Sequence, residues 1–245
     1  MKNEDKWIQT IVEIDKNGNL QPTPTSKKEA SYVPITIMCD ILNKIGKKYF
    51  KGKLLDLGCG NVPFHAWYKD CVKEDICMDW ENSLHKNEYL DVIHDISKDF
   101  PFEAESFDSI LSSSVLEHIY DPRHMFKECS RILKKDGYLI ISSNFSYWEH
   151  ETPHDYLRHT QFFFQKVAQE FGFGILEIHP IGDGFCVLAD ITAKISQFSP
   201  KSFFFKLLAC FFRILFNYCH KKKKRIFPQQ PLGYICVMQK KIKYL

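Results

Sequence analysis

Residues suited to ligand binding are concentrated in a short turn, Gly58-Cys59-Gly60, which directly follows the apolar run Lys53–Leu57. Such a run is typical of a buried strand, and glycines at its carboxyl end let a ligand approach the backbone closely. A helix predicted over Val62–Lys69 would point free N–H groups and the positive end of its dipole at a carboxylate. Asp56, at the start of the turn, disfavours a phosphate and suits a ligand that also carries positive charge. The turn therefore predicts a ligand with both cationic groups and a carboxylate.

The segments on both sides of this turn alternate between strand-like and helix-like patterns. Short apolar runs predict strands over Lys53–Leu57, Asp75–Asp79, Leu90–His94, Phe107–Ser112, Tyr138–Ser142, Ile175–His179 and Gly233–Gln239. Apolar residues at helical spacing predict helices over Thr36–Phe50, Val62–Lys69, Asp121–Leu133 and Thr160–Phe171. Strands that alternate with helices predict a mainly parallel sheet with helices on both faces. The first residues, including the proline-punctuated Gln21–Ser26, predict an extended arm or loop.

Further segments follow the turn in the order found in a known family. The turn resembles the glycine-rich first motif of the class I S-adenosylmethionine-dependent methyltransferases. Asp79 resembles the acid with which the family holds the ribose hydroxyls, and Asp95-Ile96 resembles the pair that contacts adenine. The later matches are Phe107–Ser114 (a fourth strand), Val115–Ile119 (a turn lining the site), Arg131–Ser142 (a helix-to-strand connection) and Pro231–Val237 (a final antiparallel strand).

The resemblance implies a Rossmann-like, doubly wound α/β fold. Its seven-stranded, mostly parallel sheet would have an antiparallel last strand and a helical insert before that strand. The resemblance also implies S-adenosyl-L-methionine as the cofactor and methyl transfer as the reaction. The cofactor-binding residues that it implies are Asp56, Gly58, Cys59, Gly60, Asp79, Asp95, Ile96 and Ser112.

Two observations qualify this resemblance. The chain has Asn61-Val62-Pro63 where the family usually has another small residue, so we expect a changed loop shape with binding retained. A strand followed by Gly-x-Gly also occurs in NAD-dependent enzymes. The third glycine of the pyrophosphate fingerprint is missing here, however, and this favours the methyltransferase interpretation.

Candidate residues for the acceptor side lie in two places. His118 follows the predicted strand Phe107–Ser112, and His154 lies in Trp148–Thr160, after the fifth strand. The second segment resembles a His/Pro-Asp-Tyr-x-Arg-x-Thr signature of methyltransferases in bacterial sugar and cell-envelope pathways, which implies O-methylation of a sugar or lipid-linked envelope intermediate. A hydroxyl acceptor benefits from a general base, and the two histidines are the candidates. The alternatives are a structural role for His118 in its turn and, for Asp155–Thr160, a helix cap with a local ion pair.

An aromatic helix and a basic run interrupt the strand–helix alternation. Apolar residues at i, i+4 spacing predict a helix over Phe203–Cys219, with Lys206 and Arg213 on its opposite face. Lys221–Arg225 follows, and Ile191–Leu245 carries twelve Lys and Arg without an acid, whereas the rest of the chain has a formal charge of −9. Because the helix is short for a membrane span, we expect it to lie flat in an anionic membrane interface. The alternative is a helix that covers the core; nucleic acid is not expected, since no base-stacking platform accompanies the basic residues.

Length and composition suit one globular domain, with 245 residues of which 44% are hydrophobic. The nine cysteines are odd in number, scattered and without zinc-site spacing, so they predict reduced thiols of a cytoplasmic protein and no metal site. We predict an N-terminal arm and helix over 1–50, a methyltransferase domain over 51–182 and 229–245, and a basic helical insert over 183–228. Two rival functions stay open, namely methylation of a quinone precursor or small carboxylate, and a non-catalytic, cofactor-binding scaffold at the membrane.

Overall fold

The computed structural model describes residues 1–83, 87–199, 203–222 and 225–241. It begins with an antiparallel hairpin of strands β1 (Val12–Ile14) and β2 (Leu20–Pro22), where the sequence predicted an extended arm. Helix α1 (Tyr32–Ile45) follows, starting four residues before the predicted helix and ending at Gly46, whose positive φ of 70° breaks the helical backbone. The Asn43 side chain exchanges two hydrogen bonds with the backbone of Leu20, at 2.8 and 2.9 Å, and thereby joins the hairpin to α1.

A seven-stranded sheet forms the centre of the described chain. Its strands are β3 (Lys53–Leu57), β4 (Glu74–Asp79), β5 (Val92–Ile93), β6 (Phe107–Ser113), β7 (Leu133–Asn144), β8 (Phe173–Ile181) and β9 (Gly233–Lys240). They lie in the order β5-β4-β3-β6-β7-β9-β8. The first five strands of this order are parallel to one another, whereas β9 is antiparallel to both β7 and β8. The predicted Rossmann-like sheet with an antiparallel last strand is therefore confirmed.

Helices cover both faces of this sheet. The remaining helices are α2 (His65–Tyr68), α3 (Pro122–Ile132), α4 (Gln161–Phe171), α5 (Gly184–Phe198) and α6 (Phe203–Lys221). Leu54 of β3 belongs to a core shared with α1, α5 and α6, whereas its neighbour Leu55 belongs to a core shared with α3 and α4. Successive side chains of a strand point to opposite faces, and both faces are buried here, so the strands are continuous apolar runs rather than alternating ones.

Two helical predictions need correction. The helix predicted over Val62–Lys69 has only the four residues of α2, followed by a 3₁₀ turn over Lys69–Cys71. A helix this short has almost no macrodipole to offer a ligand, so that part of the sequence argument was wrong. Helix α5 was not singled out from the sequence, although Asp183 caps its start by accepting a hydrogen bond from the Cys186 N–H at 3.0 Å.

Candidate active site

A cavity of about 670 Å³ opens at the carboxyl ends of the parallel strands β3, β4 and β6. Its volume is in the range of small-molecule sites, and its position is the one where doubly wound sheets bind ligands. The predicted site residues that line it are Gly58, Cys59, Gly60, Asp79, Asp95, Ile96, His118 and His154. The structure therefore brings together eight of the ten residues selected from the sequence.

The glycine turn holds this side of the cavity close to the neighbouring strand. The N–H groups of Gly58 and Cys59 both donate to the carbonyl of Met78 in β4, at 2.8 and 3.2 Å. Gly58 has a φ of 70°, and a Cβ atom there would meet the Val115 methyls at 2.5 and 2.7 Å. A side chain at this position would therefore be excluded both by the backbone conformation and by the lack of space.

The departure from the family pattern after Gly60 has a visible structural effect. Val62 adopts a φ of 50°, a conformation that is an outlier for a β-branched residue. It is fully buried, and its N–H donates to the Cys59 carbonyl at 2.8 Å. The turn thus continues with a packed valine at a positive φ, at the place where the family pattern has a small residue.

Two acids line the cavity beside the turn. Asp79 accepts hydrogen bonds from the Gly60 N–H at 2.9 Å and from the Trp80 N–H at 2.8 Å, which fixes its carboxylate at the end of β4. Asp95 accepts two bonds from Ser97, from its N–H at 2.9 Å and from its hydroxyl at 2.6 Å. Asp79 is thus oriented by the glycine turn and by the residue after it, and Asp95 by its own loop.

Asp56 and Ser112, which the sequence predicted as cofactor-binding residues, are not among the residues that line the cavity. Asp56 lies beneath the turn, where its carboxyl accepts a hydrogen bond from the Tyr68 hydroxyl at 2.9 Å. Burial raises its pKa to about 7. Ser112 is fully buried in β6. Both residues belong to the strands that carry the site, and sequence order alone does not show which side of a strand end faces the ligand.

His118 has one ring nitrogen engaged and the other available. Its Nδ1 lies 2.7 Å from the carbonyl oxygen of His154, which can only accept, so Nδ1 carries the proton. In the neutral ring Nε2 therefore holds a lone pair. This nitrogen is shielded from solvent, no described residue forms a hydrogen bond with it, and the nearest carboxylate, that of Glu151, is 3.9 Å away. An available imidazole lone pair in a cavity is the arrangement of a general base.

His154 contributes to the same wall in a different way. Its ring packs edge-on against Trp80, with centroids 4.9 Å apart, and its Nδ1 is 2.9 Å from the Tyr156 hydroxyl. Its backbone carbonyl is the group that fixes the tautomer of His118. The two predicted histidines therefore lie next to each other, with different roles open to them.

The segment after β7 is held by a network around Glu117. This side chain is fully buried and accepts hydrogen bonds from the Ser143 hydroxyl at 3.1 Å and from the Asn144 amide. Burial raises the pKa of Glu117. Its backbone carbonyl accepts the N–H groups of Tyr156 and Leu157, which anchors the segment below His118.

Asp155 and Arg158 form the local ion pair that the alternative interpretation described. Both guanidinium NH groups donate to the carboxylate, at 2.5 and 2.7 Å, and this hydrogen bonding holds the pKa of Asp155 down at about 2. Thr160 precedes α4, but its side chain makes no capping hydrogen bond. The pair is therefore structural, whereas the predicted cap is absent.

A group of possible metal ligands also lies here, although the sequence predicted none. Donor atoms of Glu117, His118 and His150 lie within 4.8 Å of one another. Burial, and next to it the neighbouring His118, lowers the pKa of His150, which favours its neutral form. The Glu117 carboxylate is already hydrogen-bonded by Ser143 and Asn144, so an ion would have to compete with these contacts. The sequence argument missed this group because its members come from two segments without zinc-site spacing.

Several cavity residues were not foreseen. Thr10 and Ile11 reach the cavity from the N-terminal segment, Met38 from α1, and Trp80 and Tyr120 add aromatic surface. Trp80 directly follows Asp79, so its position could have been read from the strand end. Thr10, Ile11 and Met38 carry no local signal, because only the docking of the hairpin and α1 brings them there.

Comparison with known proteins agrees with this architecture. Residues 55–141, which run from β3 into β7, match the family model described as a methyltransferase domain. The solved phosphoethanolamine N-methyltransferase 2 of Haemonchus contortus, in complex with phosphomonomethylethanolamine and S-adenosylhomocysteine, has the same fold. Its TM-score is 0.55 at 17% identity, and the match covers 90% of this chain and 58% of that one. The protein contains a class I methyltransferase domain.

Curated relatives match only in part. An uncharacterised protein of Methanocaldococcus jannaschii is 33% identical over 91 residues, which are 37% of this chain and 44% of the relative. A ubiquinone biosynthesis O-methyltransferase of Maricaulis maris is 26% identical over 120 residues, which are 43% of this chain and 46% of the relative. The chain thus spans about half the length of these relatives.

Proposed function

We propose that this protein transfers a methyl group from S-adenosylmethionine to a hydroxyl oxygen of its acceptor, with His118 as the general base. The observation that carries the proposal is the cavity-lining His118 imidazole, whose Nδ1–H is bonded to the His154 carbonyl while the buried Nε2 has no hydrogen-bond partner among the described residues. A carboxylate acceptor would need no base, so this arrangement favours a hydroxyl acceptor over the small carboxylate that the sequence left open.

The lining of the cavity suits the cofactor. Gly58 and Gly60 line the cavity without side chains, so a ligand can approach their backbone, and the fixed carboxylates of Asp79 and Asp95 would bind the hydroxyl and amine groups of its nucleoside. Ile96 would add an apolar contact. S-adenosylmethionine supplies a methyl group on a positively charged sulfonium, and the acids at the cavity are electrostatically compatible with that charge.

In this proposal His118 takes up the proton of the acceptor hydroxyl. Nε2 of His118 would accept it as the oxygen becomes a nucleophile, and the hydrogen bond from Nδ1–H to the His154 carbonyl would hold the ring in place. The carboxylate of Glu151, 3.9 Å from Nε2, would stabilise the imidazolium that forms. Alignment of the acceptor with the methyl group would account for most of the remaining rate.

A phenolic acceptor is the acceptor class with most support. Trp80, Tyr120 and Tyr156 line the cavity and offer flat apolar surface to an aromatic ring. Two curated relatives are named ubiquinone biosynthesis O-methyltransferases, which agrees with the quinone-precursor alternative. The sugar or lipid-linked envelope acceptor stays a prediction from the Trp148–Thr160 signature, without a relative in its support.

Incubation with labelled S-adenosylmethionine and three acceptor sets tests the proposal. The sets are small catechols and phenols, a lipid extract and a glycan extract, and calorimetry with S-adenosylhomocysteine reports cofactor binding separately. We expect His118→Ala to lower kcat about 10²–10⁴-fold while cofactor affinity stays unchanged, and His179→Gln, on edge strand β8, to leave both unchanged. Cofactor binding without labelling of any acceptor would favour the scaffold alternative, and binding of NADH in its place would indicate an oxidoreductase.

A further inference from the structure

Helix α6 is apolar on two different faces, and only one of them is covered by the protein. Phe216 and Cys219 are buried, and Phe212 and Leu215 pack against the core. The Phe212 ring lies 5.6 Å from that of Phe185 in α5. Phe212, Leu215 and Phe216, which the sequence assigned to a membrane interface, therefore belong to the core, because they lie on the face that turns toward α1 and α5.

The second apolar face is exposed. It consists of six large side chains, each with more than half of its surface open to solvent, and we call it the α6 stripe: Phe203, Phe204, Leu207, Phe211, Ile214 and Tyr218. At 100° per residue these positions fall within one third of the helix circumference. Contiguous exposed apolar surface of this kind marks an interaction site rather than scattered surface residues.

Further exposed apolar side chains lie on the helix beside α6. Leu188, Ile191 and Phe198 of α5, the helix that packs against α6, are also exposed. The Phe198 ring contacts Trp148, with centroids 5.0 Å apart, and the Trp148 carbonyl lies 3.3 Å from the ring of His150. Exposed apolar side chains therefore also occur on α5, which contacts both α6 and the segment that carries His154.

Basic residues border the α6 stripe. Lys206 and Arg213 are exposed and, being seven residues apart, lie along one edge of the stripe, while Lys221 and Lys222 follow at its end. Asp190, the last acid of the sequence, is buried and paired with Lys194. Lys223 and Lys224 of the predicted basic run lie outside the described residues.

We propose that the α6 stripe docks the protein flat on an anionic lipid bilayer. Six apolar side chains would enter the interface while the adjoining cations contact phosphate headgroups, which is the pattern of an interfacial amphipathic helix. A second copy of the chain is a poorer occupant, because a symmetric contact through this face would bring the two basic edges together. The proposal is independent of the acceptor chemistry.

The helix is long and apolar enough to cross a membrane, with 19 residues and a mean hydropathy of 1.3, but its contacts favour the flat arrangement. His220 pairs with Asp40 of α1 at 2.8 Å, and Asn217 accepts a hydrogen bond from the Tyr32 hydroxyl at 3.1 Å. Arg213 lies over the Tyr32 ring, 4.5 Å from its centroid. A spanning helix would lose all of these contacts and would carry cations into the hydrocarbon, which is costly.

Vesicle flotation with the full chain tests the proposal. One set of vesicles is pure phosphatidylcholine and the other contains about 30% phosphatidylglycerol, each at low and high salt. We expect the protein to bind the anionic vesicles, and the bound fraction to fall as salt is raised. Each removed cation, as in Lys206→Gln, should lower the partition coefficient about fivefold. Leu207→Ser/Phe211→Ser should abolish binding, whereas Phe162→Ser/Leu176→Ser, which removes the same side chains from exposed positions on α4 and β8, should leave it unchanged.

Cys210 gives a second, site-specific measurement. It is exposed on α6 next to the stripe, whereas the other cysteines are buried except for the partly exposed Cys71. An environment-sensitive fluorophore on Cys210 in a Cys71→Ser background should shift to the blue on anionic vesicles. Absence of both flotation and shift at low salt would overturn the proposal. A concentration-dependent dimer would also overturn it if only the Leu207→Ser/Phe211→Ser variant abolished that dimer, because the α6 stripe would then bind a second copy of the chain.

Discussion

Gly58→Ala tests how the glycine turn is built. The new methyl group would have to fit where the structure leaves 2.5 and 2.7 Å to the Val115 methyls, at a φ of 70°. The left-handed backbone costs an alanine about 1–2 kcal/mol, and overpacking typically costs about 1–3 kcal/mol more. We therefore expect the free energy of unfolding to fall by about 2–5 kcal/mol, and the affinity for S-adenosylhomocysteine to fall with it, since the turn borders the cavity.

Three further variants separate the backbone and overpacking contributions to this loss. Gly18 has a φ of 80° and open space around it, so Gly18→Ala should lose only the backbone share, about 1–2 kcal/mol. In a Val115→Ala background the Val115 methyls are gone, so adding Gly58→Ala should cost only the backbone share and not the overpacking share. Urea unfolding measures all four proteins, and calorimetry measures ligand binding. If Gly58→Ala cost no more than Gly18→Ala and bound ligand normally, the close contact with Val115 would be refuted.

Three further substitutions address buried and paired charges. Because burial raises the folded-state pKa of Asp56 to about 7, the stability that it contributes is complete below its unfolded pKa of about 3.9 and is lost as pH rises through 7. Urea unfolding from pH 4 to 8 should show the wild type losing up to about 4 kcal/mol relative to Asp56→Asn, and parallel curves would contradict the raised pKa. Lys194→Met should lower the free energy of unfolding by about 3–5 kcal/mol in thermal unfolding, because it leaves the buried Asp190 without its partner. Asp190→Leu/Lys194→Met should restore most of this stability, and equal losses in the two variants would contradict the explanation. Arg158→Gln should let the pKa of Asp155 rise from about 2 toward 4 in an NMR titration, and an unchanged value would assign the low pKa to another cause.

The sheet could be predicted because its strands are buried on both faces. Runs such as Lys53–Leu57 and Tyr138–Ser142 are short and apolar, and their order along the chain matches a known family. The predicted strand bounds differ from the observed ones. β5 has only two residues, Val92 and Ile93, where five were predicted, and β7 extends beyond Tyr138–Ser142 at both ends, from Leu133 to Asn144. Strand ends depend on pairing with the neighbouring strand, which a local pattern does not contain.

The sequence indicated which turn residues line the cavity, but it did not indicate which way the side chains within a strand point. Gly58, Gly60 and Asp79 reach the cavity because they stand at strand ends, where the fold itself defines the ligand side. Asp56 lies within β3, one residue before the end of the strand, and its carboxyl accepts a hydrogen bond from Tyr68 instead. His118 was selected for its place after β6, but its available Nε2 depends on the carbonyl of His154, a tertiary contact without a sequence signal.

The position of β9 has a consequence for synthesis on the ribosome. β8 is an edge strand whose neighbour is β9, yet α5 and α6 separate the two strands in the chain. At roughly 5–20 residues per second, β8 and both faces of α6 would emerge seconds before the strand that completes the sheet. During that interval the core cluster that contains Phe216 lacks the Ile235 and Val237 side chains of β9. The pairing of β9 therefore determines when this half of the sheet can close.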